Sequence, residues 1–176
     1  MDGRLAGRVC IPVHDARGVL RSYTARSYVG HDKRYLEPKR TEGPDLNAVF
    51  GENYWPRQPG LRQVVIVGEG ALNCVALERV LTTPGLKGLP LGALMGSHIS
   101  AIQVAKVATF QAAVIMTDND MAGDRAAGEL DYALGRHMRL VRAVLPKGTD
   151  PDVLAGTPEG VRYLQSEVAR CLALVE

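Results

Sequence analysis

A central parallel sheet flanked by helices, an α/β fold preceded by a small β-rich basic segment, is what this sequence predicts. From residue 63 onward short apolar runs alternate with segments of helical period, the pattern of consecutive βα units. The runs are nearly unbroken, as in Val64-Val65-Ile66-Val67-Gly68 and Ala112-Ala113-Val114-Ile115-Met116-Thr117, which is what strands buried on both faces need. Before residue 63 the pattern changes to two-residue alternation. Most of the clustered cations lie there: Arg4, Arg8, Arg17, Arg21, Arg26, Lys33, Arg34, Lys39 and Arg40. The expected division is 1–62 for the basic segment, 63–155 for the α/β domain and 156–176 for a C-terminal helix.

Residues 8–26 read as a β-hairpin: Val9, Ile11 and Val13 alternate, Asp15-Ala16-Arg17-Gly18 supplies the turn, and 19–26 resumes the extended pattern. Residues 27–62, rich in charge, Pro and Gly, read as connecting structure with one short element around 46–50. Then follow a strand at 64–67, a helix at 71–82, a strand at 89–95 and a helix at 99–109. A strand at 112–117, a helix at 122–137, a strand at 139–145 and a last helix at 159–173 complete the chain. Pro84-Gly85 is placed to close the first of these helices, and Pro151 follows a polar loop, so neither proline interrupts an element.

With 46% hydrophobic and 23% charged residues over 176 positions, the composition is that of a soluble globular chain with room for a core. The net charge of +2 does not announce a nucleic-acid binder, but a basic segment beside an acidic site suits a polyanionic substrate. Cys10, Cys74 and Cys171 are far apart and lack Cys-x-x-Cys spacing, which excludes a disulfide framework or zinc finger and points to a reducing compartment. No apolar stretch approaches the roughly 18 residues that span a bilayer, so a cytoplasmic protein with no membrane partner is expected. The nucleophile elbow and both glycine-rich nucleotide fingerprints are missing, and serine-nucleophile, dinucleotide-redox and P-loop chemistry fall away with them.

Three carboxylates stand out. Glu69 follows the run 64–68, and Asp118 and Asp120 follow the run 112–117. In an open α/β sheet, residues at the carboxyl ends of parallel strands project into the ligand crevice, so distant stretches of sequence meet there. Hard oxygen donors suit Mg²⁺ or Mn²⁺ rather than zinc, and paired ions are a common device for moving phosphoryl groups. Glu69 alone is equally a helix-start acid favoured by the macrodipole. Asp118 and Asp120 repel each other unless a cation or hydrogen bonds relieve them, and helix capping accounts for one of them only. Gly70 is expected to let the backbone turn tightly after Glu69. Asp124 reads as dipole compensation in the next helix. Asp150 and Asp152, after the last strand, read either as a second metal-holding pair or as an Asp-Pro turn before a helix. His98, in Gly96-Ser97-His98, reads as a solvated loop residue, since no second histidine lies at ligand spacing.

Val65-Ile66-Val67-Gly68-Glu69-Gly70, followed some fifty residues on by Val114-Ile115-Met116-Thr117-Asp118-Asn119-Asp120-Met121-Ala122-Gly123, resembles the Toprim domain of bacterial-type primases, topoisomerases and several nucleases. Leu94-Met95-Gly96-Ser97 and Leu145-Pro146-Lys147-Gly148-Thr149-Asp150-Pro151-Asp152 are similar to primase segments, and so are Gly7 to Asp15, Gly18, Ala25-Arg26 and Arg34-Tyr35-Leu36 before them. The set, covering roughly residues 4–155, resembles the RNA polymerase core of DnaG-type primases of bacteria and phage. The resemblance implies a Toprim-like, Rossmann-like sheet and an enzyme that makes RNA primers on single-stranded DNA from ribonucleoside triphosphates. It implies Glu69, Asp118 and Asp120 as catalytic metal ligands for Mg²⁺ or Mn²⁺, and Asp150 and Asp152 at a further metal position. Arg26, Lys33, Arg34 and Tyr35 are implied at nucleotide or template.

The chain departs from that pattern in carrying Asn73 where relatives have Asp, and Arg34-Tyr35-Leu36 where many have Lys-Tyr-Leu. It also lacks the zinc-binding and helicase-binding regions of relatives, so a fragment or a compact phage or mobile-element form is expected, with a helicase or zinc-binding domain supplied in trans. Two other functions compete. A Toprim nuclease would use the same carboxylates to activate water, and a catalytically decayed module would only bind nucleic acid.

Overall fold

The structure, a computed structural model, describes residues 3–38, 47–95 and 99–175. Two sheets carry the fold. The first is antiparallel, in the order β1 (Arg8–His14), β2 (Leu20–Ser27), β3 (Tyr35–Leu36). The Asp15 carboxylate organises the hairpin turn, accepting the backbone N–H groups of Arg17 and Val19 at 2.9 and 3.0 Å and pairing with Arg21 at 2.7 Å. These bonds hold its carboxyl below the usual range. β3 was not expected, because two residues are too few for alternation to register. It pairs Arg26 with Tyr35 and Ala25 with Leu36. Since Val9 in turn pairs with Arg26, a cross-strand row Val9, Arg26, Tyr35 runs over one face.

The second sheet is parallel throughout, in the order β5 (Leu91–Ala93), β4 (Val64–Gly68), β6 (Ala112–Ile115), β7 (Arg139–Arg142). Period-two alternation sends Ile66 and Val114 to one face. There they pack with Leu77 of α1 (Ala71–Val80) and with Leu164, Val168 and Cys171 of α5 (Pro158–Val175). Val65, Val67, Ala113 and Ile115 face the other way, against Val107 of α2 (Ala101–Val107) and Ala127, Leu130 and Leu134 of α3 (Met121–Leu134). Burial on both faces holds for β4 and β6. β7 is an outer strand and exposes Arg139 and Arg142.

The strands expected at 89–95 and 139–145 are shorter than their apolar runs. Leu94 and Leu145 are buried in the core but have left the ladder to start the loops that build the site. The first long helix stops at Val80 rather than 82, so Pro84 lies in the turn beyond it. A short helix, α4 (Pro151–Leu154), had no place among the expected elements, but it is what the Asp-Pro turn reading of Asp150 and Asp152 requires. Asp150 caps it through the Val153 N–H at 2.7 Å, and Pro151 fills its first position.

Residues 47–61 are more than the surface connection expected of them. Phe50 and Ala93 exchange backbone hydrogen bonds at 2.9 and 3.1 Å. Buried Trp55 donates from Nε1 to the Leu91 carbonyl at 2.7 Å and meets Phe110 edge-on at 5.1 Å. Glu52, 3% exposed, pairs with Lys106 at 2.8 Å. Gly51 lies at φ 89, and a Cβ there would come within 2.5 Å of the Leu91 oxygen, so the strap lies against β5 only because this residue is glycine. The element expected at 46–50 reduces to the Phe50 bridge, with Leu46 outside the described residues. Among the described residues no helix is long and apolar enough to cross a membrane.

Candidate active site

The chain runs from β4 to β5 on one side and then crosses back to β6 on the other, so the strand order reverses between β4 and β6. Such a switch point opens a crevice at the carboxyl ends of its two strands. Glu69 follows Gly68 of β4 there. Asp118 follows β6 after Met116, whose N–H still bonds to Val67 at 2.9 Å, and Thr117. The two acids touch through the Asp118 N–H, which donates to Glu69 Oε1 at 3.3 Å.

Each neighbour has a structural reason. Asp120 caps α3 through the Gly123 N–H at 2.8 Å. Gly123 must be glycine, since a Cβ would lie 1.9 Å from the Asp118 carbonyl oxygen. The expected reason for Gly70 does not apply: at φ −120 it adopts extended backbone open to any residue, and it simply lines the crevice. Asn119 was overlooked in the sequence. Its side-chain amide donates to the Leu145 carbonyl, its N–H to Thr149 at 3.2 Å, and its carbonyl accepts from Gly148 at 3.0 Å. The loops after β6 and β7 are thereby stitched together, and Asp150 comes within electrostatic range of Asp118.

A cleft of about 290 Å³ results. It is lined by Glu69, Asn73, Asp118, Asp150 and Asp152 from the parallel-sheet side and by Arg26, Arg34 and Tyr35 from the small sheet. Thr24 and Glu37 also line it and were not singled out in the sequence. Asp120 stands outside the lining but acts electrostatically on both Glu69 and Asp118. Lys33 is exposed and outside the lining. Gly96, Ser97 and His98, with Lys39 and Arg40, lie outside the described residues. Asp124 sits in the first turn of α3, as expected, and pairs with Arg142. Met95, at φ 61, holds the left-handed conformation uncommon outside glycine, and it too borders the cleft. Arg26 lies over the Tyr35 ring at 5.0 Å and donates to its hydroxyl, which fixes the guanidinium at the cleft wall.

The electrostatics are those of half-buried acids that repel one another. Burial, then the charges of Asp118 and Asp120, pushes the Glu69 carboxyl up. Burial and then Asp150 push Asp118 up, opposed by a hydrogen bond from Asn73 and by the charge of Arg34. Beside Asn73, burial pushes the Cys74 thiol up to about 12, so it is no nucleophile. Among the described residues no three His, Cys, Asp or Glu side chains converge closely enough to cage an ion as they stand. The donor set nevertheless fits Mg²⁺, which keeps several waters and binds through one or two carboxylates plus substrate phosphates rather than in an all-protein cage.

The sequence model of the Toprim-like family matches residues 66–155, just over half of the chain, and spans the whole carboxylate set. The chain belongs to the Toprim-like family. This Toprim-like chain is 27% identical over 153 residues to the DNA primase of Chlamydia pneumoniae, covering 84% of this chain and 25% of that protein. It thus spans about a quarter of the length of the curated relatives it matches. In fold it is similar to the zinc-binding and RNA polymerase domains of Aquifex aeolicus primase, with TM-score 0.73, 20% identity, and coverage of 100% of this chain and 43% of that one. It is similar too to a DnaG primase catalytic domain bound to single-stranded DNA, with TM-score 0.72, 24% identity, and coverage of 93% and 53%. The Toprim-like parallel sheet and the antiparallel sheet before it are both within the matched span of the Aquifex structure, as the sequence reading expected.

Proposed function

We propose that this chain is the nucleotidyl-transfer core of a DNA primase, joining ribonucleotides into a primer on a single-stranded DNA template. The observation that carries this reading is the cleft, in which Arg26 and Arg34 from the small sheet's side face Glu69, Asp118, Asp150 and Asp152 from the other. The reaction forms a bond between a primer 3′-hydroxyl and the α-phosphorus of an incoming ribonucleoside triphosphate and releases pyrophosphate. Divalent ions, Mg²⁺ or Mn²⁺, would supply hydroxyl activation and neutralise charge on the leaving group.

Glu69 and Asp118 would hold such ions, with Asp120, Asp150 and Asp152 contributing oxygens around them. Their raised carboxyls support this, because an arriving cation relieves the repulsion they already carry. Arg34 and Arg26 would bind triphosphate or template phosphates, with Tyr35 keeping Arg26 in position. Lys33, being exposed, would act on the template approach rather than at the reacting phosphates. The similar Aquifex structure contains a zinc-binding domain beside its RNA polymerase domain, which supports a zinc-binding domain as a partner in template recognition.

The test is ribonucleotide incorporation on single-stranded DNA with Mg²⁺ or Mn²⁺, for this chain and for Asp118→Ala, with DNA cleavage followed in the same tubes. Metal-dependent synthesis lost in the variant is expected. Cleavage without synthesis would replace this reading with the nuclease. Neither activity, even with a zinc-binding domain and helicase added, would leave a binding module.

A further inference from the structure

We infer that Asn73 is a positioning residue which holds Asp118 by one oxygen and so biases the cleft toward small octahedral cations and against Ca²⁺, an inference that rests on reading Glu69 and Asp118 as cation ligands. Asn73 stands in the first turn of α1 and is only 8% exposed. A buried amide at that depth needs a partner, and its Nδ2 finds Asp118 Oδ1 at 3.0 Å. The base it reaches from is rigid, because Cys74 and Leu77 beside it are buried in the fold. Among the described residues no other side chain donates to Asp118 or to Glu69. The orientation of the Asp118 carboxylate therefore depends on one hydrogen bond from one neutral residue.

That bond has a chemical consequence. Ca²⁺ accepts six to eight oxygens and readily takes both oxygens of a carboxylate, whereas Mg²⁺ demands near-octahedral geometry and takes single oxygens and waters. With one lone pair of Oδ1 committed to the amide, an ion that takes both oxygens must share Oδ1 with Asn73 and strain that bond, whereas an ion that takes Oδ2 alone leaves it intact. An amide also adds no charge, so it orients the acid without acting as a further anionic ligand.

The test is calorimetric titration of the full chain with Mg²⁺, Mn²⁺ and Ca²⁺ separately, for the wild type, Asn73→Ala, Asn73→Leu and Asp118→Ala, with melts in chelator to verify folding. Leucine keeps the branched outline of asparagine and removes the donor, so it serves if the alanine variant fails to melt cooperatively. Both Asn73 variants are expected to shift the ratio of Ca²⁺ to Mg²⁺ affinity toward Ca²⁺ by roughly 5- to 10-fold, the scale of one ordinary hydrogen bond. A ratio unchanged within about twofold in a folded variant, with binding lost in Asp118→Ala, overturns the role of Asn73 alone. Binding unchanged in Asp118→Ala, or no binding by the wild type, overturns the reading of the carboxylates and this inference with it.

Discussion

Glu167 is buried and Glu69 half-buried beside the same sheet, and the protein treats them in opposite ways. Glu167, on α5, accepts the Val144 N–H at 2.5 Å and is gripped by Arg170 at 2.6 and 2.8 Å, so that Arg170 first and the Val144 bond with it hold its carboxyl low. Glu69 receives one long backbone hydrogen bond, has no ion pair among the described residues, and faces Asp118 and Asp120. One acid is completed by the chain; the other has no cation paired with it among the described residues. Burial alone would raise both carboxyls, so it does not set the two acids apart. The presence or absence of a cation does.

The largest expected effect lies on the incomplete side. Asp118→Ala should lower primer synthesis by about 10³-fold or more, while Glu167→Gln leaves the rate per folded molecule within roughly twofold, both read from ribonucleotide incorporation. Equal losses in the two would erase the distinction. Glu167→Ala should instead cost about 2 kcal/mol of unfolding free energy in denaturant titration, because it removes a buried side chain that binds both the Val144 N–H and Arg170. A change below about 0.5 kcal/mol would mean that Glu167 is not completed in the sense argued. Arg34→Ala should weaken single-stranded DNA or triphosphate binding by roughly 5- to 10-fold and reduce the salt slope of DNA binding by about one, measured by fluorescence anisotropy across ionic strengths.

Acidity sharpens the contrast. Glu69 and Asp118 are raised in the folded chain, so the ion-free fold binds protons more tightly than the unfolded chain. Its stability from these groups falls as pH rises from the ordinary carboxylate range through the raised values. Glu167 is lowered, so its contribution is complete above its usual 4.5 and is lost as pH falls through the lowered value. An ion must displace protons from the cleft, and Mg²⁺ should therefore raise the melting temperature more at about pH 7 than at about pH 5. The smallest effect is Asp118→Asn in chelator, a gain of about 0.5 kcal/mol from relieved desolvation and then relieved repulsion, discounted because the half-buried acid is screened by solvent. A loss there would mean that the Asn73 bond outweighs the repulsion.

Glu69, Asp118 and Asp120 were legible in the sequence because each follows a buried apolar run, and parallel strands deliver such positions to one edge. That β4 and β6 are neighbours is tertiary information, and so is the Asn119 stitch, since an asparagine between two aspartates looks like any loop residue. Arg26, Arg34 and Tyr35 came from resemblance, and what joins Arg26 to Tyr35 is a two-residue strand too short to show periodicity. The 47–61 strap escaped because its anchors are single residues, Trp55, Glu52 and Val49, each buried through partners far along the chain rather than through local pattern. Asn73 was visible only as a missing charge. Its donor role required seeing where Asp118 points.

The Phe50 bridge across Ala93 also bears on how copies of this chain behave toward one another. An open parallel sheet offers the backbone groups of its outer strands as a template on which foreign strands can grow. On the β5 side Phe50 and the Trp55 indole already occupy positions along that border. On the β7 side the strand begins and ends on exposed arginines, which would bring like charges together in any sheet-to-sheet stack. Loosening the strap, for instance with a bulkier residue at Gly51, should therefore show itself first as self-association at high concentration.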